Sequence, residues 1–196
     1  MKLIVGLGNP GRRYSATRHN VGFQALEALA RLRGFRFRRG RFRAEEAEAA
    51  FGSERAVLLK PLTYMNLSGQ AVQAAARFYK VALKDLLVVC DDVHLPAGKV
   101  RLRRRGSDAG HNGLASIIQR LGSQEVARLK IGIGETPSGL PREQYVLSKF
   151  RPDELPLLQE AIERAAQAVE VWAYYGIEEA MNRFNWAKSA DETCGQ

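Results

Sequence analysis

Two short apolar runs, Leu3–Leu7 and Leu86–Cys90, each lead into a polar residue able to do chemistry, Asn9 and Asp91. Continuous apolar runs of this length, without a polar alternate, read as buried strands. Segments of helical period lie between and beyond them. Val21, Ala25, Leu29 and Leu32 predict a helix over Asn20–Arg33, ended by Gly34. A second helix is expected over Ser68–Lys80 and a short one around Leu114, Ile117, Ile118 and Leu121. A long amphipathic helix is expected from Leu155 to Trp172, and a last one over Ile177–Asn185. Phe35–Arg43 alternates aromatic residues and arginine, as an edge strand or two short strands around Gly40 would. Further strands are expected at Glu45–Phe51, Arg55–Lys60, Gly98–Arg104 and Ala127–Ile133. This interleaving predicts an α/β fold: one domain over 1–187, with a mixed, twisted central sheet flanked by helices, and a tail at 188–196.

The first run enters "GLGNPGRRYSATRHN", in which Gly6, Gly8 and Gly11 spell G-x-G-x-x-G. A dinucleotide loop would feed straight into a helix and be followed by an acidic residue about 20 positions on. Here the helical pattern starts only near Asn20, and no acid stands between Glu27 and Glu45. The glycines are instead expected to let the backbone turn sharply and come close to a ligand.

The ends of the elements carry Asn9, Asn66, Asp91 and Asn112, with His19 just before the first helix. In open α/β sheets ligands bind outside the carboxyl ends of the strands, so these groups could converge. Singly, each has a plainer role as a turn residue or helix cap. As a set they suit a water-activating histidine, a carboxylate to orient it, and amides to donate to an oxyanion, which is ester hydrolysis. No G-x-S-x-G stands in the chain, Cys90 is expected inside the sheet, and His19, His94 and His111 form no compact metal motif.

Charge adds a partner class. The net charge is +9, with 30 Lys and Arg against 21 Asp and Glu. "RLRGFRFRRGRFR" (Arg31–Arg43) holds seven arginines and no acid, and "KVRLRRR" (Lys99–Arg105) holds five cations. Such clusters fit a polyanion such as nucleic acid. No apolar run approaches the roughly 20 residues of a membrane span. The N-terminal run is too short for a signal peptide, and Cys90 and Cys194 form no disulfide framework, so a cytoplasmic protein is expected.

The segments "GLGNPGRRYSATRHNVGF", "KPLTYMNLSGQAV", "DDVHLPAGKVRLRRRGSDAGHNGL", "RLKIGIG" and "YVLSKF" closely resemble the bacterial peptidyl-tRNA hydrolases, in order, over about three quarters of the chain. The resemblance implies a monomer without metal or organic cofactor that cleaves the ester between a peptide and the 3′-terminal ribose of tRNA. By the family pattern His19 is the catalytic base and Asp91 its partner. Asn9, Asn66 and Asn112 bind the substrate and polarise the ester. Tyr14 and Met65 line the cleft, and His111 is a further substrate-binding residue. Arg101 and Arg103, with a cation at Arg128 or Lys130, would hold a tRNA phosphate. Two positions depart from the pattern: His94 stands where the family often has an aspartate, and Ala109-Gly110 replaces a glycine pair. A non-catalytic RNA-binding protein on the same scaffold is the alternative.

Overall fold

The computed structural model describes residues 1–185; the tail expected at 188–196, with Cys194, lies outside them. Seven strands form one sheet: β1 (Lys2–Gly6), β2 (Arg38–Arg39), β3 (Ala44–Phe51), β4 (Glu54–Pro61), β5 (Leu86–Asp92), β6 (Val100–Arg103) and β7 (Ala127–Gly132). Their order is β2-β3-β4-β1-β5-β7-β6. The central four, β4-β1-β5-β7, are parallel, while β2, β3 and β6 complete the sheet by antiparallel pairing. The sheet is therefore mixed, as the interleaved pattern predicts.

Alternation along β1 sorts the helices. Ile4 faces one core with Leu26 and Leu29 of α1 (Val21–Arg33) and Ala165, Val169 and Trp172 of α5 (Leu155–Tyr175). Leu3 and Val5 face the other, with Val72 and Ala75 of α2 (Ser68–Phe78) and Leu114 and Ile117 of α3 (Asn112–Leu121). Each face of the central strands is thus covered, which is why they read as unbroken apolar runs. Two shorter helices are α4 (Arg142–Val146) and α6 (Ile177–Phe184). No helix among the described residues is long and apolar enough to cross a membrane.

Two expectations change. Only Arg38–Arg39 of the Phe35–Arg43 segment pairs as a strand. Phe35 and Phe37 tuck against the first core, and the chain then reverses through Phe42 and Arg43, both at positive φ (60° and 54°). The glycines of the first loop also serve a different end. A Cβ at Gly6 would meet the Gly22 carbonyl oxygen at 2.5 Å, and one at Gly8 would meet the Phe23 ring at 2.7 Å. They admit helix α1 to the sheet rather than a ligand; only Gly11, with φ 104°, makes a turn that favours glycine.

Gly22 completes the contact from the helix side. A Cβ there would lie 2.4 Å from the Val89 oxygen and 2.6 Å from Leu7 backbone atoms. Backbone cannot yield as a side-chain tip can, so Gly22→Ala must lift the start of α1 off β1 and β5. A loss of about 2 kcal/mol in urea unfolding is expected, as for overpacked cores. A variant within about 0.5 kcal/mol of the parent would refute the close-approach account.

Candidate active site

The short turn Arg18–Asn20 precedes α1 and sits over the carboxyl end of β5, so His19 meets Asp91. His19 Nδ1 lies 2.7 Å from Asp91 Oδ1, and His111 Nε2 lies 3.0 Å from the same oxygen. All three residues are buried. The imidazole rings stand 4.9 Å apart, tilted by 45°.

The tautomer of His111 follows from its second nitrogen. His111 is the N-cap of α3, and its Nδ1 accepts from the backbone N–H groups of Gly113 (3.1 Å) and Leu114 (3.3 Å). A nitrogen that accepts carries no proton, so Nε2 carries it and donates to Asp91. Asp91 then accepts from His19 as well, which places the His19 proton on Nδ1. In the neutral ring that tautomer leaves Nε2 as the lone-pair acceptor, and His19 lines the cleft. Burial alone would push the Asp91 carboxyl up, but the two imidazoles outweigh it and hold the group well below the usual carboxylate range.

Asn9 is oriented with equal completeness. Its side-chain oxygen accepts from Met65 N–H (2.9 Å), which leaves the amide Nδ2–H groups as free donors, and Asn9 lines the cleft. Its own backbone N–H donates to Asn20 Oδ1 (2.9 Å), and its carbonyl accepts from Asn20 Nδ2 (3.0 Å). Asn20 thus ties the loop to the helix start. Arg18, also buried, anchors the same turn from behind. It donates to Glu154 (2.6 Å) and to the Ile133 carbonyl (3.2 Å), and its guanidinium lies 4.5 Å from the rings of both Tyr145 and Phe150. Asn20 and Arg18 flank His19 in sequence, and that adjacency is the signal that sequence reasoning had for them.

A cleft of about 300 Å³ opens over these groups. Asn9, His19, Asp91 and His111 line it, Met65 lies beneath, and Asn66 and Asn112 stand exposed at its edge. Asn66 lies in the short turn Met65–Leu67, and Asn112 is the first residue of α3, the cap itself being His111. The far wall is α4, with Arg142, Glu143 and Val146, an element too short to leave a helical period in the sequence. Tyr14 is outside the lining, half-buried against the Arg13 guanidinium. The sequence separated the histidines, but the fold gathers His19, Asp91 and His111 so that one atom of each lies within 4.8 Å of the others. That spacing could admit a metal ion. The donor chemistry speaks against one, because both rings turn N–H groups toward Asp91 and the other nitrogen of His111 is engaged by α3.

The cations sort into two kinds. Arg101 and Arg103 are exposed on edge strand β6, and Arg101 pairs in register with Lys130, itself bonded to Asp92 (2.9 Å). Arg128 does not join them. It is 1% exposed, and its guanidinium makes five hydrogen bonds to the carbonyls of Gly106, Ser107, Gln124 and Val126. A guanidinium has five N–H donors, so none remains for a phosphate. Cys90 is buried in the second core, where burial pushes its thiol up and leaves it inert.

The peptidyl-tRNA hydrolase family pattern matches residues 3–193. The chain belongs to the peptidyl-tRNA hydrolase family. A peptidyl-tRNA hydrolase of Chloroflexus aggregans is 51% identical over 186 residues, covering 94% of this chain and 99% of that one. One of Desulfitobacterium hafniense is 48% identical over 185 residues, covering 94% and 100%. The crystal structure of the Acinetobacter baumannii peptidyl-tRNA hydrolase superimposes with a TM-score of 0.89, 36% identity and 94% coverage of each chain. A crystal structure of a peptidyl-tRNA hydrolase with N-propanol gives 0.90, 36% and 97%. Of the departures from the peptidyl-tRNA hydrolase pattern, His94 is exposed and outside the cleft lining. Ala109 sits at φ 49°, where a glycine would be unstrained.

Two outcomes test this site without reference to activity. His111→Asn keeps a cap acceptor for α3, whereas His111→Ala removes it, so in thermal unfolding the alanine variant should be less stable than the asparagine variant by about 1 kcal/mol. Equal stabilities would mean that the cap contributes nothing. For Asp91, a lowered native pKa gives stability that is present above about pH 4, the unfolded value, and is lost as pH falls below it. The stability gap between the parent and Asp91→Asn should therefore narrow as pH is lowered through about 4 in denaturant titrations. A constant gap would be inconsistent with an ionised, paired Asp91.

Proposed function

We propose that the cleft hydrolyses the ester joining the C-terminus of a peptide to the 3′-terminal ribose of tRNA, with His19 as general base. One observation carries the reading: the 2.7 Å bond from His19 Nδ1 to Asp91, which in the neutral ring leaves Nε2 as the acceptor in a cleft that Asn9, with its free amide donors, also lines. Nε2 takes a proton from water as the water oxygen attacks the ester carbonyl carbon. The positive charge that appears on the ring is supported by Asp91, already ionised and already bonded. The negative charge that appears on the carbonyl oxygen is met by Asn9 Nδ2, a donor fixed before the reaction begins. Collapse of the tetrahedral species returns the proton from Nε2 to the leaving ribose oxygen and releases peptide and tRNA.

Asn66 and Asn112 at the cleft edge, with Met65 below, hold the peptide and the 3′ end. Arg101 and Lys130 on the β6 side take a phosphate of the tRNA, a contact that positions RNA of any sequence. Each group named comes from one chain, and the chemistry needs no metal or organic cofactor. The substrate class comes from the relatives, which are named peptidyl-tRNA hydrolases. An RNA-binding protein without catalysis would have no use for a buried carboxylate that fixes an imidazole tautomer, so the hydrolytic reading is favoured over the alternative.

Asn9→Asp separates the two duties of Asn9. The carboxylate still accepts from Met65 N–H but replaces the donor with a negative charge. On peptidyl-tRNA, kcat should fall by roughly 10²-fold or more with little change in KM. His19→Ala should lower kcat by roughly 10²–10⁴-fold. A folded His19→Ala protein with parental turnover would overturn the mechanism, and a folded parent inactive on peptidyl-tRNA would overturn the function.

A further inference from the structure

The arginine-rich stretch after α1 has no part in the cleft. Its side chains are nevertheless arranged for a partner. Phe35 and Phe37 pack inward, so Arg36 and Arg38 are turned outward, and Arg36, Arg38, Arg39, Arg41 and Arg43 are all exposed. None of the five forms an ion pair among the described residues, although acids stand directly opposite in the sheet. Arg38 pairs in register with Glu46 and Arg39 with Glu45. Those carboxylates are engaged elsewhere. Glu45 holds the buried Lys60 (2.7 Å), and Glu46 accepts from the Arg41 backbone N–H (2.6 Å) and from the Tyr79 hydroxyl (2.5 Å). The guanidinium donors of these arginines are therefore not taken up by the strand beside them, and five cations face two nearby carboxylates, Glu46 and Glu48. A groove of about 540 Å³ runs along them, lined by Arg36, Arg38 and Arg41, with Glu48 as its one acid not engaged by a bond.

The turn is held in a costly shape. Ala44 N–H donates to the Arg41 carbonyl across Phe42 and Arg43, both at positive φ, a type I′ arrangement usually filled by asparagine and glycine. Such residues in the left-handed region cost on the order of 1 kcal/mol each. Phe42 packs against Phe78 and Tyr79, and the Arg41 guanidinium stacks 4.6 Å from the Phe78 ring, so the turn is fixed in place.

Topology sets where it points. Ala44 pairs with Pro61 at the carboxyl end of β4, so the turn lies at the same end of the sheet as Asp91. At the opposite edge, β6 begins at that same end, since Val100 pairs with Ile131. The two basic edges therefore bracket the end that carries the cleft, six strand spacings or about 29 Å apart. That exceeds the ~8 Å Debye length at physiological salt, so they act on separate phosphates.

We infer that the Arg36–Arg43 hairpin is a second RNA-contacting surface, which binds phosphates of the tRNA body at a distance from those held by β6. This rests on the hydrolase reading for the identity of the RNA. The test is the binding of fluorescent deacylated tRNA against salt, for the parent, for Arg36→Ser/Arg38→Ser/Arg39→Ser and for the same three positions changed to lysine. The serine variant should bind about 10-fold more weakly at low salt, with a log–log salt slope shallower by roughly 2, and the lysine variant should keep the parental slope. On full-length peptidyl-tRNA the serine variant should raise KM at constant kcat. On a peptidyl ester of the CCA trinucleotide alone it should match the parent. Unchanged affinity and slope would overturn the proposal, as would an equal loss on the trinucleotide ester. A parent that binds tRNA but cleaves neither ester would refute the hydrolase reading instead, while the binding curves still decide the surface.

Discussion

The site depends on a single buried carboxylate. A bare aspartate with 4% exposure would be forced toward its neutral form by desolvation. Asp91 stays ionised because two ring N–H groups, from His19 and His111, converge on one of its oxygens. Each donor is supplied by a different part of the chain, the turn before α1 and the cap of α3, and Asp91 is the next-to-last residue of the strand between them. The His111 ring also closes the start of α3 through its other nitrogen. A helix cap and the His19 tautomer are thereby parts of one hydrogen-bonded chain.

That chain can form only because α1 comes unusually close to the sheet. The Gly6–Gly22 contact removes the side chains that would hold the helix away. Reciprocal bonds between Asn9 and Asn20 then fix the loop against the helix start, and Arg18 fixes the same turn to the Ile133–Glu154 segment. His19 is thus held from the sheet side, the loop side and behind. Its ring needs no movement to meet Asp91, which suits the general-base role proposed for it.

The fold was legible where burial leaves a pattern. Central strands covered on both faces gave the apolar runs, and α1, α3 and α5 gave clear helical periods. The site was legible as polar residues at strand and helix ends, because the carboxyl ends of parallel strands are where the sheet leaves space. Three things were hidden for physical reasons. α4 is five residues long and shows no period. The cap of α3 is His111 rather than the asparagine beside it, and only the reach of its ring into Asp91 explains that choice. Arg128 reads as one more cation, yet β7 lies between β5 and β6, and a residue of an interior strand flanked by Ala127 and Leu129 had reason to be buried.

The contrast between arginines decides what a net charge of +9 means here. Arg18 and Arg128 are structural: their donors are consumed by carbonyls or by Glu154, and they offer nothing to a partner. The arginines of the two sheet edges keep their donors free, and they stand away from His19 and Asp91. β6 is two strands from β5, and β2 is four, or about 10 and 19 Å. Distance weakens their effect on the His19 ring, and both edges are open to a polyanion approaching from solvent. Nearer the ring, Arg18 is paired with Glu154 and Arg142 lines the cleft; under the proposed mechanism the bonded Asp91 supports the positive charge that the ring acquires. Under the proposed mechanism the edge arginines serve to attract the tRNA, whose peptidyl ester is hydrolysed in the cleft.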